Sequence, residues 1–349
     1  MTDKSMENIQ QKCEGCGGNL RFSPDQKSLV CNFCQSVTPL KHNPKYEKHK
    51  YSADSENKKE YADFVNKTKV IKCSNCGASI ILDKLQVSKN CPYCDSPSVA
   101  ETNNIASLAP DAIIPFKYSE EKASEMFKKG LKSKWFLPNK FKKSPPVDKI
   151  KGIYVPCFAF DAKTDTKYSG VLEQRTTDSN GNTKVKTIKI SGEYFYNFEN
   201  FIVESSSHIT QDDYNQIRPY QMSDLVKFDP AFIMGYSVEY YNQNLSTCKS
   251  IADRLMREDI KAEILKKYSY SSVKSFTQQT SINDEKYAYN ILPLYKVGYK
   301  YGKKEYISLM NGQTGKVGGN LPRSKVKITF FVLMWVIIAA IFIYLFIFG

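Results

Sequence analysis

Histidine is scarce in this chain, with three in 349 residues. That thins the field for histidine-based acid–base chemistry. Glycine (17) and proline (15) are too few for a collagenous or low-complexity chain. Ten cysteines are too sparse for a disulfide scaffold of this length. No G-x-x-x-x-G-K-S/T loop is present to cradle nucleotide phosphates, which excludes a P-loop motor. Acidic residues run short, 36 against 50 basic ones, for a formal net charge of +14. Disorder is excluded as well, because 41% of the residues are hydrophobic and only 25% charged.

One stretch has no charge at all. Residues 328–348, ITFFVLMWVIIAAIFIYLFIF, are 21 uncharged residues. About 20 residues span ~30 Å of hydrocarbon at ~1.5 Å per residue. No polar face exists to meet the rest of a soluble domain, which argues against a core helix. Tyr344 lies near its far end, where an amphipathic ring suits an interface, and Trp335 lies inside it. Arg323, Lys325 and Lys327 precede it, and flanking positive charge stays on the cytoplasmic side. The polar start, MTDKSMENIQQK, lacks the apolar run of a signal peptide. The expectation is a single-pass, tail-anchored cell-membrane protein. It meets the lipid bilayer through residues 328–348, with its N-terminal bulk in the cytoplasm.

Eight cysteines form a repeated pattern. Cys13-x2-Cys16 is followed after 14 residues by Cys31-x2-Cys34, and Cys73-x2-Cys76 after 14 residues by Cys91-x2-Cys94. Identical spacing reads as an internal duplication. Each Cys-x2-Cys makes a knuckle that places two sulfurs near one point, and the segment between knuckles leaves and returns as a hairpin. Gly17 and Gly77 follow the second cysteine, where the turn toward sulfur favours positive φ. Four thiolates in a tetrahedron make a closed structural zinc site, with no position for a reactive water. The expected cofactor is zinc, two ions per chain. A cytoplasmic setting keeps the thiols reduced, and segments this short depend on the metal to fold. Four thiolates against one Zn²⁺ leave each site at −2, so two sites lower the formal charge to about +10.

The ribbons CEGCGGNLRFSPDQKSLVCNFCQS and CSNCGASIIL…CPYCDSP carry a resemblance. So do KIKGIYVPCFAFDA, LPLYKVGYKYGKKEYISLMNGQTGKVGGNLP and the terminal apolar helix. Together they resemble the bacterial, mostly Firmicutes, transcription-factor-IIB-type zinc ribbon-containing membrane proteins, over nearly the whole chain. Some members bear a primosomal-helicase name, which the missing phosphate loop contradicts here. The resemblance implies zinc ligation and membrane attachment and brings no biochemical activity with it.

The chain divides as zinc ribbon 1 (1–40), a polar lysine-rich linker (41–69) with one short helix near 56–66, and zinc ribbon 2 (70–100). An α+β domain with antiparallel sheet (101–322) follows, then a basic flank and transmembrane anchor (323–349). Within the large domain IIPFK reads as a strand, and Ser119 caps a helix to about Lys134. GIYVPCFAFDA, TKYSGVLEQRTT, TKVKTIKISGEYFYNF and AFIMGYSVEYYN read as further strands, with a hairpin turn at 178–182. Ser246 or Thr247 caps a long helix to about Tyr268. Tyr301–Lys304 and Asn311-Gly312 read as turns between the last strands. IYVPCFAF and NILPLYKV echo each other as aliphatic-Pro-aromatic strands of two related units.

Other constellations weigh less. NGQTGKVGG carries Val317 where a magnesium-binding hydroxyl belongs, so it reads as a hairpin turn. His208 with Asp212 and Asp213 offers acid–base groups in a polar loop, but Asp212 serves as easily as a cap. Cys157 and Cys248 read as inert buried thiols. Residues 120–151 hold ten Lys against four acidic residues, with Trp135, Phe136 and Phe141 interleaved. Lys128, Lys129, Lys132, Lys134, Lys140, Lys142 and Lys143 are candidates to bind an anionic partner. Residues 296–327 hold eight Lys and Arg against one Glu and abut the anchor. The reading is a non-enzymatic binding or scaffold protein whose ribbons project on a flexible arm. Lys12, Arg21, Lys27, Lys72, Lys84 and Lys89 around the ribbons permit a protein or a nucleic-acid partner. The alternatives are a membrane-tethered nucleic-acid binder and an unrecognised enzyme in the α+β domain.

Overall fold

The computed structural model describes residues 12–40, 45–52, 55, 68–83, 90–97, 99–101, 108–143, 145, 149–177, 183–206 and 208–348. The helix expected near 56–66, the turn at 178–182, Lys84 and Lys89 lie outside them.

The first cysteine segment contains β1 (Leu20–Ser23), β2 (Ser28–Cys31) and β3 (Val37–Pro39), a three-stranded antiparallel sheet of its own. All later strands join a second, 12-stranded sheet. They begin with β4 (His49–Lys50), β5 (Thr68–Cys73), β6 (Ser79–Asp83), β7 (Val99–Glu101) and β8 (Ala112–Ile113). Helices α1 (Glu120–Ser133) and α2 (Asn139–Lys143) follow, then the long strands β9 (Lys149–Thr177) and β10 (Thr183–Glu204). Next come α3 (Gln211–Ile217), β11 (Val226–Lys227), β12 (Ser237–Glu239) and α4 (Leu245–Lys266). The chain closes with β13 (Ser272–Tyr301), β14 (Lys304–Asn311), β15 (Val317–Gly319) and α5 (Lys325–Phe348). The molecule is sheet-rich and mostly β, with helices applied to the sheet rather than alternating with its strands.

Its spine is the antiparallel pair β9–β13. The two Pro motifs meet on it, with Pro156 opposite Ile291, Tyr154 opposite Pro293 and Val155 opposite Leu292. The internal echo is thus a local two-fold across one strand pair. GIYVPCFAFDA and TKYSGVLEQRTT, expected as separate strands, are one continuous strand. The pattern changes because the surroundings change. Residues 152–160 are buried on both faces, so they read as an uninterrupted apolar run. Beyond Asp161 one face packs on α4 and the other is open, so apolar and polar residues alternate. Both partners bulge at this level, β10 between Phe198 and Phe201 and β13 between Asn283 and Lys286. Asp161 secures the bend by accepting from the Asn200 backbone N–H (2.8 Å) and the Lys48 ammonium (2.7 Å).

The apolar core lies on both faces of this spine. Tyr154, Phe158, Phe160, Tyr289 and Tyr295 face one layer, and Ile153, Val155, Leu292 and Leu294 the other. Helix α1 begins where Ser119 accepts from the Lys122 N–H, as expected, and buries Ala123, Phe127 and Leu131. For α4 the cap is Asn244, not Ser246 or Thr247, and its side chain accepts from the Thr247 N–H at 2.9 Å. AFIMGYSVEYYN is less of a strand than expected. Asp229 caps a 3-10 turn at Pro230–Ile233, and only Ser237–Glu239 pair as β12. The NGQTGKVGG segment is a turn, in which the Asn311 side chain accepts from the Gln313 and Thr314 N–H groups.

Candidate metal centres

Each cysteine cluster closes on itself. In the first, Cys13 and Cys34 Sγ lie 3.5 Å apart, as do Cys16 and Cys31. In the second, both Cys73–Cys94 and Cys76–Cys91 lie 3.6 Å apart. Within each cluster all four sulfurs lie inside 4.8 Å. A zinc tetrahedron with Zn–S of ~2.3 Å needs sulfurs ~3.8 Å apart, so the donor set and its spacing fit the ion. The chain binds two zinc ions, held by Cys13, Cys16, Cys31 and Cys34 and by Cys73, Cys76, Cys91 and Cys94.

One backbone turn builds all four knuckles. The first cysteine's carbonyl accepts from the N–H four residues on: Gly17 to Cys13, Gln35 to Cys31, Gly77 to Cys73 and Asp95 to Cys91. The residue donating that N–H has positive φ each time: 70° at Gly17, 61° at Gln35, 78° at Gly77 and 62° at Asp95. The sequence marks two of these with glycine and leaves Gln35 and Asp95 unmarked. The free thiols divide the protons unevenly. The Ser36 hydroxyl, 3.0 Å from Cys13 Sγ, draws that thiol down to about 6, while Cys16 is held up at about 12 beside Cys31 despite the Gly18 N–H. In the second cluster burial opposes ionisation of Cys94, yet the Asn75 side chain and nearby backbone N–H groups bring it to about 6. Zinc binding therefore releases protons from the sulfurs held high.

The two centres differ in what surrounds them. Cys-Pro-Tyr-Cys of the second knuckle plugs into the large sheet. The Tyr93 hydroxyl donates to buried Glu239, and the Tyr93 carbonyl accepts from Lys296. His208 stacks on the Tyr93 ring with centroids 4.4 Å apart and donates from Nε2 to the Cys76 carbonyl at 2.9 Å. Glu239 also accepts from the Ser206 hydroxyl at 2.8 Å and lies 3.6 Å from His208 Nδ1, which raises the imidazole pKa. Glu204 next to it is pushed up to about 9, chiefly by burial, so it is a neutral acid that accepts from the Ser206 N–H. His208 thus supports a metal centre and joins no acid–base group. Asp213 instead forms a capping box with Thr210 on α3. Cys157 and Cys248 are buried, and burial drives the Cys157 pKa well up.

The expected flexible arm is replaced by docking. β6 pairs with β12, Val238 opposite Ile81 and Glu239 opposite Ile80, which makes the second ribbon part of the 12-stranded sheet. The first ribbon keeps its own sheet but seats Phe22 edge-on against Phe232 at 5.2 Å, while the Phe22 N–H donates to the Met234 carbonyl at 3.1 Å. Arg21 reaches Glu120 at 3.7 Å and passes over the Tyr236 ring. Gly235, at φ 87°, leaves room for it, since a Cβ there would meet Arg21 Cγ at 2.5 Å. A single stretch, 232–240, therefore stitches both ribbons to the body. The sequence reading missed Tyr93, Ser206, Glu239 and Met234. Its one available signal was the shared aromatic in CNFC and CPYC.

Among the candidate lysines, Lys142 donates to the Lys132 carbonyl at 3.1 Å, and Lys128, Lys129, Lys132, Lys134, Lys140 and Lys143 are exposed. The interleaved aromatics form no base-stacking row. Phe141 is buried, and Trp135 and Phe136 pack on Phe331 of α5 at 6.1 and 5.4 Å. Arg323 and Lys325 are exposed at the start of α5, and Lys327 bonds back to the loop before α2. Helix α5 is long and apolar enough to cross a membrane, and its apolar window has none of its surface buried against the rest of the protein.

Residues 8–40 match the A2-L zinc ribbon domain, so the first ribbon is of this kind rather than shown to be of the transcription-factor-IIB type. Over 332 residues, 92% of each chain, the sequence is 26% identical to "Uncharacterized protein YdjG" of Bacillus subtilis (strain 168). No solved structure matches.

Proposed function

We propose that this is a membrane-anchored, cytoplasmic, non-enzymatic binding protein in which ribbon 1 recognises the partner and ribbon 2 is structural. The observation that carries this is the unequal fate of one position. Tyr93 in the second knuckle is anchored on Glu239, whereas its counterpart in the first knuckle, Phe33, is 77% exposed. Phe33 rests on Gly18, where a Cβ would meet its ring at 2.5 Å, and Val37 nearby is 50% exposed. An exposed aromatic held on a rigid metal knuckle is the kind of anchor that dominates protein interfaces. The uncharged α5 supplies the anchor, with Arg323 and Lys325 on the cytoplasmic side. A protein partner is favoured. Nucleic acid is the second reading, because an aromatic face on a basic molecule also stacks bases.

A crosslinked pull-down of the full chain from solubilised membranes tests this, with and without nuclease, beside Phe33→Ala. A protein that survives nuclease and is lost with Phe33→Ala is the expected result. Recovery of nucleic acid only when Phe33 is intact selects the second reading. A partner indifferent to Phe33 moves recognition off ribbon 1.

A further inference from the structure

Two basic regions far apart in sequence meet at the foot of α5. Lys327 donates to the carbonyls of Trp135 (3.0 Å) and Leu137 (2.9 Å) and to Asn139 Oδ1 (2.7 Å). The Ser324 N–H donates to the Phe136 carbonyl at 2.8 Å. These four bonds fix the loop between α1 and α2 to the first turn of the apolar helix. Trp135 and Phe136 are 48% and 40% exposed and lie against Phe331, one turn (about 6 Å) further along the helix than Lys327. If α5 spans a bilayer, these rings stand at the depth where Trp is enriched.

Between this loop and the β14–β15 hairpin opens a cleft of about 530 Å³. Lys134, Lys304 and Arg323 line it together with Trp135, Phe136 and Tyr306. The acidic residue on its wall, Glu305, is paired with Lys300 at 3.0 Å. Among the described residues, no hydrogen bond or ion pair engages the side chains of Lys134, Lys304 or Arg323. Three cations, an aromatic floor and an opening at the membrane boundary match one chemistry. That is a phosphodiester headgroup whose acyl chains run down beside α5.

We propose that this cleft binds the headgroup of an anionic phospholipid and so sets the orientation of the sheet and both ribbons against the membrane. The proposal rests on the reading of α5 as a membrane span. The zwitterionic alternative lacks net charge to match the cleft, and a soluble phosphate ester lacks the chains that Trp135 and Phe136 are placed to meet.

The full chain carrying Trp335→Phe leaves Trp135 as its one tryptophan. It is reconstituted into vesicles of phosphatidylcholine, or of phosphatidylcholine and phosphatidylglycerol in equal parts, and flotation first reports insertion. Trp135 emission, its quenching by lipids brominated near the headgroup, and the phospholipid that co-purifies in detergent are then measured. Two triple variants are compared, each retaining two zinc ions per chain as the check of folding. One is Lys134→Gln, Lys304→Gln, Arg323→Gln in the cleft. The other is Lys128→Gln, Lys129→Gln, Lys132→Gln on α1. The expected result is a blue shift and stronger quenching only with phosphatidylglycerol, and co-purified anionic lipid reduced about tenfold by the cleft variant but not by the α1 variant. Equal loss in both variants, or no dependence on phosphatidylglycerol, overturns the site. Glycerol phosphate added without vesicles should leave Trp135 unchanged, and a full shift with it alone overturns the lipid assignment. A chain that fails to float has lost the membrane span itself, which is a separate failure.

Discussion

At the scale of single residues, the knuckles show how one backbone demand is met by different side chains. Four positions adopt positive φ, and only Gly17 and Gly77 satisfy it without steric strain. Neither has any atom within 4 Å of an added Cβ, so Gly17→Ala and Gly77→Ala test the backbone alone. Each is expected to cost about 1 kcal/mol, read as a lower midpoint in chelator-driven zinc release. Gln35→Gly should move the midpoint the other way, by ~0.5–1 kcal/mol. No change in either direction would mean the knuckle conformation is set by the metal and not by the chain. Gly17 and Gly77 were legible from the motif. Gln35 and Asp95 were not, because nothing in their side chains announces a left-handed residue.

Glu204 carries a pH signature. Its carboxyl is held neutral up to about 9, mainly by burial. A folded-state pKa above the unfolded value means the native state binds the extra proton. Stability contributed by this group therefore falls as pH rises from about 4.5 to about 9, and is flat outside that window. Glu204→Gln keeps an acceptor for the Ser206 N–H and removes the proton. Urea unfolding of the variant should show a flatter pH dependence across that range. An unchanged slope would locate the titration elsewhere.

At the scale of elements, the two ribbons are alike in sequence and unlike in service. The second lends β6 to the main sheet through β12 and is locked by Tyr93, Glu239 and His208. The first is held by Phe22, one backbone bond at Met234, and Arg21. Cys13→Ser with Cys16→Ser should lose one zinc and the burial of Phe22, a loss of about 3 kcal/mol, while the main thermal transition survives. Cys73→Ser with Cys76→Ser should broaden or abolish that transition, because a sheet edge and a buried Glu239 lose their partners. Calorimetry with metal analysis decides it. Equal effects would mean that ribbon 1 is as integral as ribbon 2. The long strands make the companion point. Pattern reading breaks β9 in two at Asp161, because a strand buried on both faces and a strand buried on one look like different objects in sequence.

At the scale of the whole molecule, a rigid sheet carries one buried ribbon, one ribbon with an exposed aromatic, and an unpartnered apolar helix. Removing residues 324–349 is expected to release the chain from the membrane fraction with both zinc ions retained. Fractionation with metal analysis checks this, and a truncated chain that still sediments with membranes would place the attachment on the basic surface rather than on α5.

Local rules were enough to find the zinc ligands, the apolar run, the cap of α1 and the hairpin at Gly302. Those rules are fixed spacing around a metal, run length against bilayer thickness, and a side chain reaching its own backbone. Packing between distant segments settled the rest. It docks the ribbons, pairs the two Pro motifs across a local two-fold, turns His208 toward a metal centre, and gathers Lys134, Lys304 and Arg323 around one cleft. These contacts join residues up to 189 positions apart in sequence, a separation at which spacing carries no signal and only the folded chain supplies the neighbour.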